Sequence, residues 1–130
     1  MTAITNANYT AAVADGAFAS AESVSLNLLT SVTSLPVMLA AKKVVVDNAP
    51  ALTALEGLPV AETVRLWNLP SVITLPDLLA ATDVSLVNLS ALTVYPAMPR
   101  AKRVFIAGCG ASGRPAVPDG ASVFIDGVMQ

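Results

Sequence analysis

The sequence predicts a repeat solenoid, a right-handed coil with one short parallel β-strand per unit of about 20 residues and a mostly non-helical convex side. Three observations carry that expectation. Apolar residues recur in columns with a period of 20, each unit contains a local period of two, and prolines fall at fixed places in what is left. A fixed period of this length is the mark of an architecture in which each unit buries its apolar face only against its neighbours.

The units open at Ala21, Ala41, Ala61, Ala81 and Ala101, with a partial unit from Ala121. Val24, Val44, Val64, Val84 and Val104 form a second column, and Leu26, Val46, Leu66, Leu86 and Ile106 a third. Alternation in this V-x-L segment is what a half-buried strand requires, because successive side chains point to opposite faces. Four further columns follow, those of Leu29, Val32, Leu35 and Met38, and their consensus is A-x-x-V-x-L-x-N-L-P-x-L-T-x-L-P-x-L-x-A. Apolar residues at every third place with Pro36, Pro76 and Pro96 inside the segment suit extended or 3₁₀ backbone and exclude a regular α-helix. Stacked at ~4.8 Å, about six coils make a rod on the order of 30 Å long.

Residues 1–20 keep the period poorly and read as an N-terminal cap; 21–120 hold five repeats; 121–130 hold a terminal strand and partial repeat. The strand Val123-Phe-Ile125 stands 19 places after Val104, and as an apolar strand with no polar cap it is expected to leave a sheet edge open to pairing.

Asn48, Asn68 and Asn88 share one place just after the strand. Stacked amides there can bond each other and the backbone of the turn, so they are expected to form a buried structural ladder. Burial would make the glycosylation sequon Asn88-Leu89-Ser90 unusable.

The segments Asn48-Ala-Pro-Ala-Leu-Thr-Ala-Leu55, Asn68-Leu-Pro-Ser-Val-Ile-Thr-Leu-Pro76 and Asn88-Leu-Ser-Ala-Leu-Thr-Val-Tyr-Pro96 resemble bacterial leucine-rich repeats of the short type. Gly16-Ala-Phe-Ala-Ser20 leading into Val24-Ser-Leu26 looks like the junction of cell-surface-antigen-type repeats in the same superfamily. The likeness runs from about residue 15 to 126, with Asn one place early and Val or Ala often replacing Leu. It implies a horseshoe or rod whose strand-lined face binds other macromolecules, without a cofactor.

Composition removes much chemistry. The chain is 55% hydrophobic and only 12% charged, about half the ~25% usual in soluble domains. It has no His and a single cysteine, Cys109, so zinc sites, disulfide frameworks and His-based acid–base catalysis lose their usual groups. A net charge of −2 gives no footprint for a phosphate backbone, so nucleic acid is not an expected partner. The first twenty residues contain no Lys or Arg and carry Asp15, unlike a signal peptide. The longest uncharged run, 23–41, contains Asn27 and Pro36 and belongs to the repeat, so no membrane span is expected; virion or cytoplasm is the expected location.

Gly108-Cys109-Gly110-Ala111-Ser112-Gly113 spells a dinucleotide fingerprint after a strand, but Pro115 and Pro118 prevent the helix whose N-terminus would hold the pyrophosphate. Cys109 falls in an apolar column and reads as a small buried hydrophobe. Glu22, Lys42 and Glu62 read as a solvated charge ladder, and the acidic residues form no acid–base pair.

The outward strand positions are the candidate protein-binding site: Val45, Arg65 and Phe105 in one row, Trp67 and Val87 in the next. Trp beside Arg on an apolar face is the composition of an interface hot spot. The alternative is that a loop or neighbouring subunit covers this face and Trp67 merely packs. The expected function is a non-enzymatic subunit of a larger assembly, with a phage-capsid decoration (cement) protein as the specific expectation, acting as a homo-oligomer or bound to the particle. The alternative is a stand-alone recognition module, such as an adhesin or effector. No catalytic residue, metal ligand or cofactor is assigned.

Overall fold

The computed structural model describes residues 3–28, 30, 32–111, 115 and 117–129. It is a parallel β-solenoid of about six turns. Strands β1 (Ala3–Thr5), β2 (Ser23–Asn27), β4 (Lys43–Asp47), β6 (Thr63–Trp67), β7 (Asp83–Val87), β8 (Arg103–Ala107) and β9 (Ser122–Ile125) lie side by side, and β10 (Val128–Met129) completes an eight-stranded sheet. From β1 to β8 the register is 20 residues per coil, as in Ile4↔Val24, Val44↔Val64 and Val84↔Val104. The last coil is one residue shorter and still pairs in phase, Val104 with Val123. On the opposite side β3 (Ser34–Leu35) and β5 (Ala54–Leu55) form a second, two-stranded parallel sheet.

Every repeat column points inward. The Ala column from Ala21 to Ala101, the Val column from Val24 to Val123 and the Leu26, Leu52, Leu58, Leu69 columns make one continuous thin core. Among the described residues no polar or charged side chain is buried in it. Ala recurs where the corner leaves no room for more than a methyl group, and the backbone ladder there is uniform: Lys42, Glu62, Thr82, Lys102 and Ser122 N–H each donate 2.8 Å to the carbonyl of the coil before. Leu29 of the fourth column lies outside the described residues.

The N-terminal segment is both coil and cap. β1 continues the sheet, while α1 (Tyr9–Asp15) and the 3₁₀ turn Ala17–Ala19 replace the rest of a unit. They bury Ala12 and Phe18 over the first coil, with Tyr9 edge-on to Phe18 at 5.8 Å.

The other end corrects the sequence expectation of an unpaired apolar edge. Asp126 and Gly127, with φ of +51° and +81°, turn the chain back so that β10 pairs antiparallel with β9, Val128 opposite Ile125 and Met129 opposite Phe124. Two successive positive φ values give the tight turn whose twist suits a hairpin. Its sequence signal is the Asp126-Gly127 pair.

A second correction concerns the asparagines. Asn48 and Asn88 are exposed and Asn68 is half-buried. All three occupy left-handed backbone, φ +56° to +58°, and the same place is taken by Leu28 (+54°) and Gly108 (+66°). The corner bends there, and Asn tolerates it because its short polar side chain can offset the Cβ crowding with hydrogen bonds to neighbouring groups. The bonded row lies on the outside of the corner and runs through Asp47 in place of Asn48: Asn88 Nδ2 donates to Asn68 Oδ1 at 2.8 Å, and Asn68 Nδ2 to Asp47 Oδ1 at 2.9 Å. Burial therefore does not withhold Asn88 from modification, although its amide is engaged. Gly108 takes the next place in the row, and a Cβ there would lie 2.5 Å from Asn88 Oδ1, so the Asn88 amide would have to turn.

Leu28 is the anomaly. It is 67% exposed and left-handed, because this unit places its amide one position early, at Asn27. Left-handed backbone costs a non-glycine residue about 1–2 kcal/mol, and Asn less. Leu28→Asn should therefore raise the free energy of unfolding in urea by about 1 kcal/mol. Asn68→Ala, which loses the amide bonds and keeps the bend, should lower it by about 2 kcal/mol.

Candidate functional site

Strand alternation turns three rows of the eight-stranded sheet outward, one of them Lys43, Thr63, Asp83, Arg103 and Ser122, and the structure brings all five predicted residues onto that face. Val45, Arg65, Ser85, Phe105 and Phe124 are successive partners in one row; Asp47, Trp67, Val87 and Ala107 are successive partners in the next. Arg65, Trp67 and Phe105 are exposed, whereas Val45 and Val87 are half-buried and contribute less area than the sequence suggested. Among the described residues no loop of the chain lies over Trp67 or Phe105, which are 38% and 45% exposed.

Trp67 is held in place. Its indole N–H donates to Ser85 Oγ at 2.9 Å, tying the ring across β6 and β7. A side chain fixed before contact loses less rotamer freedom on binding. The neighbouring pair is also fixed: Arg103 Nε donates to Asp83 Oδ1 at 2.9 Å. Both groups are largely solvated, so the pair orders the surface more than it stabilises the fold.

The outward rows also form a shallow open groove of about 580 Å³. Arg65, Asp83, Ser85, Arg103, Phe105 and Phe124 line it. No such concavity was expected of a rod. Phe124, Asp83 and Arg103 were missed by sequence reasoning. The 19-residue last unit concealed that Phe124 continues the row of Phe105, whereas Asp83 and Arg103 stand 20 residues apart in one outward column and are direct partners in the sheet.

No other part of the described chain assembles a reactive centre. Among the described residues no group of three or more His, Cys, Asp and Glu side chains could hold a metal ion. Among the same residues no helix is long and apolar enough to cross a membrane. In the glycine-rich segment, Gly110 is pressed against the previous coil, a Cβ there lying 2.3 Å from Ser90 O. Ser112 and Gly113, the end of the G-x-G-x-x-G pattern, lie outside the described residues.

Cys109 is half-buried, its Sγ 3.6 Å from Leu86 O. Burial pushes its thiol pKa up, and the Asp126 carboxylate adds to the rise. Tyr95, whose hydroxyl donates to Ala111 O at 3.1 Å, is raised by burial, then by Cys109 and Asp126.

Comparison with protein-family models, curated proteins and solved structures returns no match for this chain. The strand face therefore has to be read from its own chemistry.

Two solution properties follow from the raised groups. Both are neutral acids that ionise more easily in the unfolded chain, so their contribution is complete below the ordinary thiol value of 9.0 and is lost as pH rises through the folded values. Unfolding free energy should thus fall as pH is raised above about 9. At pH 8 the thiol of the folded protein should react with a disulfide reagent far more slowly than that of the urea-unfolded chain; equal rates would contradict the placement of Cys109.

Proposed function

We propose that this protein acts by surface contact, as a non-enzymatic subunit of a larger protein assembly, and that the outward face of its eight-stranded sheet is the contact surface. The observation that carries this reading is the uncovered Trp67, tied to Ser85 and set beside exposed Arg65 and the Phe105–Phe124 row. Exposed aromatics next to arginine, on a rigid sheet, are the residues that supply most energy at protein interfaces. A rigid, regularly spaced, weakly charged surface suits lattice-like contact, and decoration of a particle such as a phage capsid is the specific assembly proposed. Cations exceed acids on the face: Lys43, Arg65 and Arg103 stand against Asp47 and Asp83 in a chain of net charge −2. This favours a partner surface that is acidic.

A stand-alone recognition module, in line with the likeness to bacterial leucine-rich repeats, is the second reading. The groove between Arg65 and Phe124 supports it, since a concave site suits a projecting side chain of a single ligand.

Trp67 is the only tryptophan, so its emission reports this face alone. Titrating the protein with its native particle, or concentrating it, should shift that emission to the blue and protect it from iodide quenching. Trp67→Ala and Phe105→Ala should each weaken association by about 30-fold or more, equivalent to about 2 kcal/mol, with unchanged circular dichroism. A stable complex in which Trp67 emission and quenching match those of the free protein would overturn the assignment. One-to-one capture of a single soluble ligand, with no particle binding, would favour the second reading.

A further inference from the structure

In the inner coils, alternate strand residues turn their N–H and C=O toward the preceding coil. Asp83 N–H donates to Glu62 O at 3.1 Å, and Val87 C=O accepts from Asn68 N–H at 2.7 Å. The parallel ladder thus asks one residue of the preceding coil to accept from one strand position and to donate to the carbonyl two places before it. β1 has no coil before it among the described residues, so Ala3 C=O and Thr5 N–H point outward at the sheet's edge.

Both groups are taken by one side chain. Thr5 N–H donates to Asn8 Oδ1 at 2.7 Å, and Asn8 Nδ2 donates to Ala3 O at 3.0 Å. The amide plane of Asn8 reproduces the acceptor and donor of a missing peptide unit. A tight turn places it there, with Asn8 N–H donating to Thr5 O at 3.2 Å, and α1 begins at the next residue. Asn6 makes a similar substitution at the end of β2, where its Oδ1 accepts from Asn27 N–H at 2.8 Å and its Nδ2 donates to Asn27 O.

We propose that Asn8 is a strand-mimicking plug that denies the β1 edge to a second copy of this chain. An edge with free donors and acceptors is a template for strand addition, and two β1 edges related by a twofold axis could pair antiparallel. The plug removes the two groups on which such pairing would start. Helix α1 does not do this by itself, because the edge groups bond to the residue before it. At the far end β10 pairs with the outer side of β9 at Phe124 and Ile125 and becomes the last strand of the sheet.

Sedimentation of the full chain, the Asn8→Ala variant and the Asn8→Ala, Thr5→Pro double variant tests this up to millimolar concentration. Asn8→Ala should associate at least tenfold more tightly than the parent, toward twice the 13.2 kDa protomer mass. Thr5→Pro removes the N–H that an added strand needs, so the double variant should return to the parent's behaviour. Two results overturn the proposal. One is an Asn8→Ala chain that associates no more than the parent. The other is association that Thr5→Pro leaves in place, the outcome expected if the variant merely unfolds the cap and exposes Phe18.

Discussion

Each coil of this molecule exists because the next one completes its backbone hydrogen bonds. A strand of five residues followed by a bend and a short extended return has no internal ladder, so every N–H and C=O of β4, β6 and β7 must be met by a neighbour in register. That requirement holds successive strands in one register and repeats the bend at one place. It also explains the asparagines better than burial does. The bend needs left-handed backbone, Asn accepts that conformation, and its amide then bonds sideways to the next coil.

The same requirement governs the ends, where a neighbour is missing. Side chains stand in for peptides there: Asn8 and Asn6 at β1 and β2, and Asp126, whose Oδ1 accepts from Gly108 N–H at 2.9 Å. The thin core needs closure as well, which Phe18 and Tyr9 supply at the first coil. At β1 the outward edge groups are taken by Asn8, and at β9 the residues Phe124 and Ile125 are paired by β10.

The columns of the solenoid were legible from residue spacing, because burial in a one-dimensional stack converts a fixed period directly into a core. Alternation around Val64 and Leu66 likewise placed Arg65 and Trp67 outward. What spacing could not convey were features that break the period. The hairpin at Asp126–Gly127 and the row position of Phe124 follow from a unit shortened by one residue. Asn8 does fall at the Asn place of the 20-residue period, but its bonds to Thr5 and Ala3 depend on a turn that spacing does not convey. Trp67's bond to Ser85 joins two columns that only the register brings together.

Spacing along the outward face is as strict as in the core. Neighbouring strands of a sheet stand about 4.8 Å apart, so Arg65 and Phe105, two strands apart, are separated across the sheet by roughly twice that distance. The face works as a ruler with fixed graduations that no loop can stretch. A binding surface that meets several of its marks at once must carry the same pitch, or a simple multiple of it. Commensurate geometry, more than any single residue, would then decide which surfaces this protein can cover.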